Sequence, residues 1–528
     1  MARLRLAAWL HQTSPAVADT NANLIRHSPK PTSDLPPTSL ERNPKYHVEG
    51  TDNMVKVPTS PKKMVPQPTT SPSKMGALAQ KISTETERVE SYFREKGLPT
   101  PSFDVDAPSD FPKMPDDIMK SRREVIQATQ ELQDLMVGPR ESVRWMAWDF
   151  MRTQSLQLIN HFEIAKLVPI EGSITFSQLQ TKTSLDPINL ARILRYAMTN
   201  HLFQELKPGV ISHTAASRLL VEDQALQAWV GFNTEDIYPG SAHVIDALKY
   251  DPKATDLTRA GFNFAFNTVD QEPMFVTFGK QPRRAQRMGQ AMSSLTGGEG
   301  YELSYLSDGL DLAAEDARGG TFVDIGGSHG FVCVHLARQY GNLQFIVQDL
   351  ARTVESAPAK LRESQNDGDS ESARRVRFMV HDFFTEQPVR NADVYFFRWI
   401  MHNYSTPYAV QILRNLVPAL KPGARIIIND HCLSDPGVED PWDERLMRSM
   451  DLVMMTLLNA QEREEQGFRR LFELASDGFV FKGVTRPKGG RMSIVEAVWK
   501  PDEVGQTSIT EGVSNLELGP GAKCDSKC

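Results

Sequence analysis

The stretch Thr321-Phe-Val-Asp-Ile-Gly-Gly-Ser-His-Gly330, followed by Phe345-Ile-Val-Gln-Asp-Leu350, reads as strand, glycine turn, helix, strand and acid. Phe322, Val323 and Ile325 suit a strand buried on both faces, as parallel strands are. Gly326 and Gly327 let the chain turn beneath a ligand, and Phe331 to Tyr340 carries helical spacing. Asp349 then stands at the tip of the second strand, where a carboxylate can accept both hydroxyls of an adenosine ribose. A dinucleotide fold needs G-x-G-x-x-G so that a pyrophosphate can approach the helix N-terminus, whereas serine at 328 makes this pattern G-G-x-x-G. That spacing favours S-adenosylmethionine over NAD.

Outward from this motif, strands and helices alternate from Gly319 to about Lys500, which predicts an α/β domain with a Rossmann-like, doubly wound parallel sheet. The strand candidates are Phe322 to Ile325, Phe345 to Val347, Val376 to Val380, Val394 to Phe397, Arg425 to Ile428, Val480 to Val484 and Ser493 to Val498. Ligands of such sheets bind beyond the carboxyl ends of the strands. The third strand is followed by His381-Asp382-Phe383-Phe384, where an acid and an aromatic edge could hold adenine, or where Asp382 simply caps the strand above core phenylalanines. After the fourth comes Arg398-Trp-Ile-Met-His402, and a histidine here can serve as a base because imidazole titrates near neutrality, although a lone histidine after a strand is more often structural. The fifth ends in Asn429-Asp430, and Asn459-Ala-Gln-Glu462-Arg-Glu follows the next helix.

Residues 1–75 are rich in Pro, Ser, Thr and Asn and are expected to be a disordered tail. The start, with Arg3 and Arg5, loosely resembles an organelle presequence, the alternative being a plain flexible tail. Leu78, Ile82, Val89 and Phe93 form one face of a helix that seeks a partner, and residues 99–115 read as a Pro-rich linker. Residues 76–230 are expected to be a helical, winged-helix dimerisation domain. Val143 to Val168, apolar on more than one side, reads as a helix packed within a bundle or a dimer, with burial the simpler reading, and Asp186-Pro187 opens a capped helix ahead of a hairpin turning at Pro208-Gly209. Arg192 and Arg195 are the only cations on that second helix, too few for a DNA-binding face. Residues 231–318 are expected to be a helical connector lining the substrate pocket, 319–500 the cofactor-binding domain and 501–528 a second disordered tail.

At 528 residues and 40% apolar composition the chain can build two or three packed domains. The net charge of −7 comes without a basic block, which argues against nucleic-acid or anionic-membrane partners, and no apolar run is long enough to span a bilayer. Cys333, Cys432, Cys524 and Cys528 have the spacing of neither a disulfide framework nor a zinc site, so a reducing, cytoplasmic setting fits and no metal is expected. The final Cys-Asp-Ser-Lys-Cys lacks a cysteine fourth from the end and so is not a prenylation signal.

From about Gly76 to Lys500 the chain resembles the plant-type S-adenosylmethionine-dependent O-methyltransferases, related to caffeate O-methyltransferase, and especially the fungal enzymes that methylate phenolic polyketides. Val323-Asp-Ile-Gly-Gly-Ser-His-Gly330 resembles the family's V-D-x-G-G-G-x-G with Ser328 in place of the third glycine. Arg398-Trp-Ile-Met-His402 resembles K/R-W-x-x-H, and Gln461-Glu462-Arg463 resembles K-E-R. The resemblance implies Asp324, Gly326, Gly327, Asp349, Leu350, Asp382, Phe383 and Arg398 as cofactor-binding residues and His402 as general base. It places Asp430 and Glu462 beside that base, with the division of labour between the two acids left open, and Met455 and Asn459 in a phenol pocket. It further implies an enzyme that works as a homodimer on a small phenolic substrate. A methyltransferase-like protein that has lost catalysis and serves as a binding or regulatory partner is the alternative.

Overall fold

The computed structural model describes residues 73–364, 372 and 374–501. The expected tails, the presequence reading of the N-terminus and the two C-terminal cysteines lie outside these residues.

The sheet that carries the motif has seven strands in the order β11-β12-β8-β7-β4-β5-β6. They are β4 (Thr321–Ile325), β5 (Gln344–Asp349), β6 (Val376–Val380), β7 (Val394–Arg398), β8 (Arg425–Asp430), β11 (Phe479–Thr485) and β12 (Ser493–Trp499). All seven lie where the apolar runs predict. β4 to β8 pair in parallel. The last two strands depart from the all-parallel expectation, since β12 runs antiparallel to β8 and β11 antiparallel to β12. Apolar strand runs do not encode direction, and the short Arg486 to Met492 connection leaves β11 and β12 no room for the crossover that parallel pairing needs. One core fills each face of the sheet. Tyr395, Phe397, Ile426 and Ile428 point into one, Phe322, Phe345, Phe396 and Ile427 into the other. Alternate residues of each strand thus serve opposite faces.

In the N-terminal half, α1 (Lys74–Lys96) packs along α2 (Asp116–Val137), so the predicted apolar face of α1 finds its partner within the chain. The Pro-rich segment between them is docked against the next module. Phe103 stacks on His201 with ring centroids 3.9 Å apart, and Arg218 donates to the carbonyls of Val105 and Ala107. The predicted wing is present as β1 (Ile174–Thr175), β2 (Gln204–Lys207) and β3 (Val210–Ser212), in the order β1-β3-β2. The helix Pro187–Met198 is capped by Asp186, whose carboxylate accepts from the Ile188 amide at 2.9 Å. Arg195 on that helix is bound bidentately by Glu205 at 3.0 Å.

Val143 to Val168 does not form one buried helix. It divides into α3 (Pro139–Met146), α4 (Phe150–His161) and a turn at Ile164–Leu167. The second half, with Ile159, Ile164, Ala165 and Val168, enters the core of the winged-helix module. The first half does not, and Val143, Trp145, Met146 and Trp148 are 60–69% exposed. Periodicity reports an apolar face but not what covers it.

Between the two halves, a π-helical turn at Asn233–Ile237 sets Asp236 against the helix Pro282–Thr296. Asp236 is fully buried between Arg284 Nε and Arg287 Nη2, each at 2.7 Å. Burial pushes its carboxyl up, against the pull of both guanidiniums. Asp236→Asn would leave the largely buried Arg284 without its counter-ion and Arg287 with Glu235 alone, and a loss of about 3 kcal/mol is expected in urea unfolding. A loss below about 1 kcal/mol would show that the triad does not hold the connector.

Candidate active site

The glycine loop and the acid opposite it form one unit. Gly326 and Gly330 have φ of 72° and 76°, the left-handed region that glycine enters without a Cβ penalty. A Cβ on Gly327 would lie 2.5 Å from the Asp324 carboxylate, and one on Gly326 would lie 2.6 Å from Ile400. Ser328 is also left-handed, at φ 52°. Its backbone amide donates to Asp349 Oδ2 at 2.9 Å, while the Leu350 amide donates to Asp349 Oδ1 at 2.8 Å. An ionised carboxylate offers roughly four acceptor positions. These two bonds leave both oxygens able to accept again, which fits a ribose diol.

Beneath the loop Asp324 is 1% exposed, and burial pushes its carboxyl up to about 7. Cys333 Sγ donates to it at 3.5 Å. Arg398 lies close enough to act on Asp324 electrostatically, and burial pushes its guanidinium down to about 10. That guanidinium is bound by Asn429 Oδ1 and by the Tyr301 carbonyl at 3.1 Å. After β6, Asp382 Oδ1 accepts from the Phe384 amide at 3.0 Å, closing a turn that sets Phe383 edge-on to Tyr404.

The predicted base lies on a single 3₁₀ turn, Met401–Asn403, just past β7. Trp399 before it is left-handed, at φ 57°, a costly conformation for a bulky residue and one that marks sites where the surrounding structure imposes geometry. The turn is held on three sides. Asp430 Oδ2 accepts from the His402 backbone amide at 3.0 Å. Arg463, 2% exposed, donates to the carbonyls of Met401 and Tyr404 at 2.7 and 2.6 Å. His402 Nδ1 lies 2.8 Å from Glu462 Oε1. The two acids, which sequence could not tell apart, therefore make different contacts, Glu462 with the ring and Asp430 with the backbone. Glu462 is brought there by β9 (Cys432–Leu433) and β10 (Arg463–Glu464), which pair in parallel.

Burial acts on every charge in this cluster. It raises Glu462, but the charge and hydrogen bond of His402, together with His431, outweigh that and bring it down to about 2. Burial raises Asp430, opposed by His402. For His402 burial is outweighed by Glu462 and Asp430, and the imidazole titrates above its ordinary value. Trp399 Nε1, Asp430 Oδ1, Glu462 Oε2 and Arg463 Nε are all buried here without a hydrogen-bond partner. Unpaired buried polar atoms are rare in native proteins, and a concentration of them marks a site built for something other than packing.

Met455 and Asn459 lie a turn apart at the end of the helix Pro441–Leu458, which packs on the His402 turn. Asn459 is its left-handed cap, and its amide donates to the Asp256 carbonyl at 2.8 Å. The neighbouring apolar cluster joins Met454 and Leu457 to Phe262, Met274 and Phe278. Sequence reading missed His431 and Tyr301, whose Nε2 and Oη are 3.1 Å apart and which adjoin Glu462 and Trp399. His431 directly follows Asp430, a signal that was available. Tyr301 lies in a distant loop and carried none.

The acid at the end of β5 faces a glycine turn whose pattern, G-G-x-x-G rather than G-x-G-x-x-G, suits S-adenosylmethionine better than a dinucleotide. The model of the O-methyltransferase domain family matches residues 310–480. The chlorophenol O-methyltransferase of Trichoderma longibrachiatum is 55% identical over 427 residues, covering 81% of this chain and 90% of that protein. The grayanic acid biosynthesis cluster O-methyltransferase of Cladonia grayi is 36% identical, with 81% and 89% covered. The crystal structure of OxaC in complex with SAH and oxaline superposes with a TM-score of 0.60 at 24% identity, covering 80% of this chain and all of that one. The chain belongs to the O-methyltransferase family, and it is an S-adenosylmethionine-dependent enzyme. No helix among the described residues is long and apolar enough to cross a membrane.

Proposed function

We propose that the enzyme methylates a phenolic hydroxyl of an aromatic secondary metabolite, a polyketide phenol or a smaller electron-poor phenol, with His402 as general base. The observation that carries this reading is the His402–Glu462 pair, 2.8 Å apart with both side chains buried. An ionised Glu462 can only accept, so Nδ1 of His402 carries the proton and Nε2 presents a lone pair. A phenol with a pKa of about 10 is about 0.1% ionised at pH 7, so an oxygen nucleophile of this kind needs a base as it attacks. Nε2 takes the phenolic proton, and Glu462 stabilises the imidazolium that results. Asp430 and Arg463 hold the turn so that Nε2 keeps its aim.

Bound S-adenosylmethionine supplies a methyl group on a positively charged sulfur. Asp349 would hold its ribose, Gly326 and Gly327 would let the loop pass close beneath it, and Leu350, Asp382 and Phe383 would border its adenine. Asp324 and Arg398 would brace the loop. On the substrate side the methionines and phenylalanines beside Met455 and Asn459 suit a flat ring, since thioether chains adapt to irregular shapes. The relatives include a chlorophenol O-methyltransferase and an O-methyltransferase of a grayanic acid biosynthesis cluster. Chlorine substituents make a phenol more acidic and lessen what the base must do. Incubation with S-adenosylmethionine and a panel of chlorophenols and polyketide phenols, read by mass spectrometry, should give an O-methylated product. Binding of S-adenosylhomocysteine with no product from any phenol would overturn the substrate class.

The enzyme acts as a homodimer in this proposal. The exposed apolar run at the end of α2 and along α3, with Met136, Val143, Trp145, Met146 and Trp148, fits a second copy of the chain. Sedimentation at micromolar concentration should give a dimer, and Trp145→Glu with Trp148→Glu should give a folded monomer. A wild-type monomer would refute it.

A further inference from the structure

The orienting carboxylate carries a second imidazole. His431 Nδ1 lies 3.6 Å from Glu462 Oε1, the same oxygen that faces His402, a charge contact just beyond hydrogen-bond reach that leaves Nδ1 buried without a hydrogen-bond partner, and both side chains have no exposure. On its other side His431 Nε2 lies 3.1 Å from the Tyr301 hydroxyl. The order of atoms is therefore Tyr301 Oη, His431 ring, Glu462 Oε1, His402 ring. Trp399 packs against both imidazoles, at centroid distances of 5.1 Å from His402 and 5.0 Å from His431. The Tyr301 carbonyl accepts from Arg398 at 3.1 Å, so this one residue touches the cofactor-side arginine through its backbone and the base-side histidine through its hydroxyl.

We infer that His431 is a positioning residue for the methyl-transfer reaction, a second imidazole within ion-pair reach of Glu462 that steadies the carboxylate at His402 and divides its charge between two rings, with Tyr301 setting the proton on His431. The inference rests on the reading of His402 as base. Proton placement follows from the chemistry of the chain. Burial pushes the Tyr301 phenol up to about 12, so it keeps its proton and is able to donate to Nε2. A neutral imidazole that accepts at Nε2 must carry hydrogen at Nδ1, where it faces an ionised carboxylate. The reverse tautomer would set a bare lone pair against that negative oxygen. Other charges act on the same cluster. Asp430 comes from β8, Arg463 from β10, Asp451 from the helix Pro441–Leu458, and Arg491 and Asp443 act on Tyr301. None of these donates to Glu462 Oε1, so His431 is the residue placed to share that oxygen with the base.

The test is the pH profile of kcat in wild type, His431→Phe, His431→Gln and Tyr301→Phe, beside S-adenosylhomocysteine binding. His431→Phe keeps an aromatic ring against Trp399 but removes the imidazole N–H. Glu462 then bears on His402 alone, and the acid limb moves to higher pH by about half a unit, about threefold in rate on that limb, with cofactor binding unchanged. His431→Gln, which can donate, restores most of the wild-type position, and Tyr301→Phe falls between. If His431→Phe folds and its acid limb coincides with that of wild type, His431 is merely structural and the inference fails. If His431→Phe does not fold, Tyr301→Phe decides by the same criterion. If wild type shows no acid limb at all, the reading of His402 as base fails first and takes this one with it.

Discussion

His402→Ala is expected to lower kcat by about 10²–10⁴-fold, the usual contribution of a positioned general base, while leaving the affinity for S-adenosylhomocysteine unchanged. The separation of effects follows from the geometry. His402 stands on a turn past β7, and its hydrogen bonds go to Glu462 and Asp430, whereas the acid that faces the glycine loop is Asp349, at the end of β5. The variant's residual rate should climb steadily with pH, because substrate that ionises by itself no longer needs the base. Wild type should behave differently. Burial lowers the imidazole, but the Glu462 charge, its hydrogen bond and Asp430 outweigh burial, so the titration lies above the ordinary 6.5. The base works only when unprotonated. The rate must therefore fall as pH drops through that raised value. In Glu462→Gln the charge is gone, burial prevails, and the acid limb should move to lower pH. A loss below about tenfold in His402→Ala would mean that the proton leaves by another route.

The residues of the candidate site that sequence singled out carry local signals. Asp349 ends a strand, His402 follows one, and the glycine turn must have its residues in sequence. Apolar runs located all seven strands of the main sheet, since the inner strands are buried on both faces and read as near-continuous apolar runs while the edge strands keep enough apolar residues on the covered face. Direction does not show in the composition of β11 and β12, and the signal for it lay in the short Arg486 to Met492 connection, which excludes a parallel crossover between them. The segment around α3 divides from α4 and is not covered within the described chain, so the reading of one buried helix fails there while packing in a dimer stays open. Trp145 and Trp148 look like core residues, and only the packing reveals that nothing within the described chain covers them. The division of labour between Asp430 and Glu462 lay beyond sequence as well. It depends on the β9–β10 pairing, two residues long in each strand, which brings Glu462 to the ring and leaves Asp430 to the backbone. Tyr301 is the extreme case, a loop residue 130 positions from His431 that reaches it through the fold alone.

Asp349→Ala should weaken binding of S-adenosylhomocysteine by about 10²–10⁴-fold. A ribose diol on this carboxylate forms two hydrogen bonds to a charged group, each contributing about 1.5–3 kcal/mol, and every 1.4 kcal/mol is about tenfold in Kd. The substitution has a second effect that must be separated from the first. Asp349 also accepts from the amides of Ser328 and Leu350, so its loss frees a loop in which Ser328 is already held at φ 52°. A cycle on the ligand separates them. Adenosine and 2′,3′-dideoxyadenosine, measured as competitors of S-adenosylhomocysteine by calorimetry, differ only in the hydroxyls that Asp349 would hold. In wild type, removing the hydroxyls should cost most of the loss that Asp349→Ala causes. In Asp349→Ala their removal should cost little, because their partner is already gone. Equal penalties in the two proteins would show that Asp349 acts by holding the loop and that the ribose is bound elsewhere.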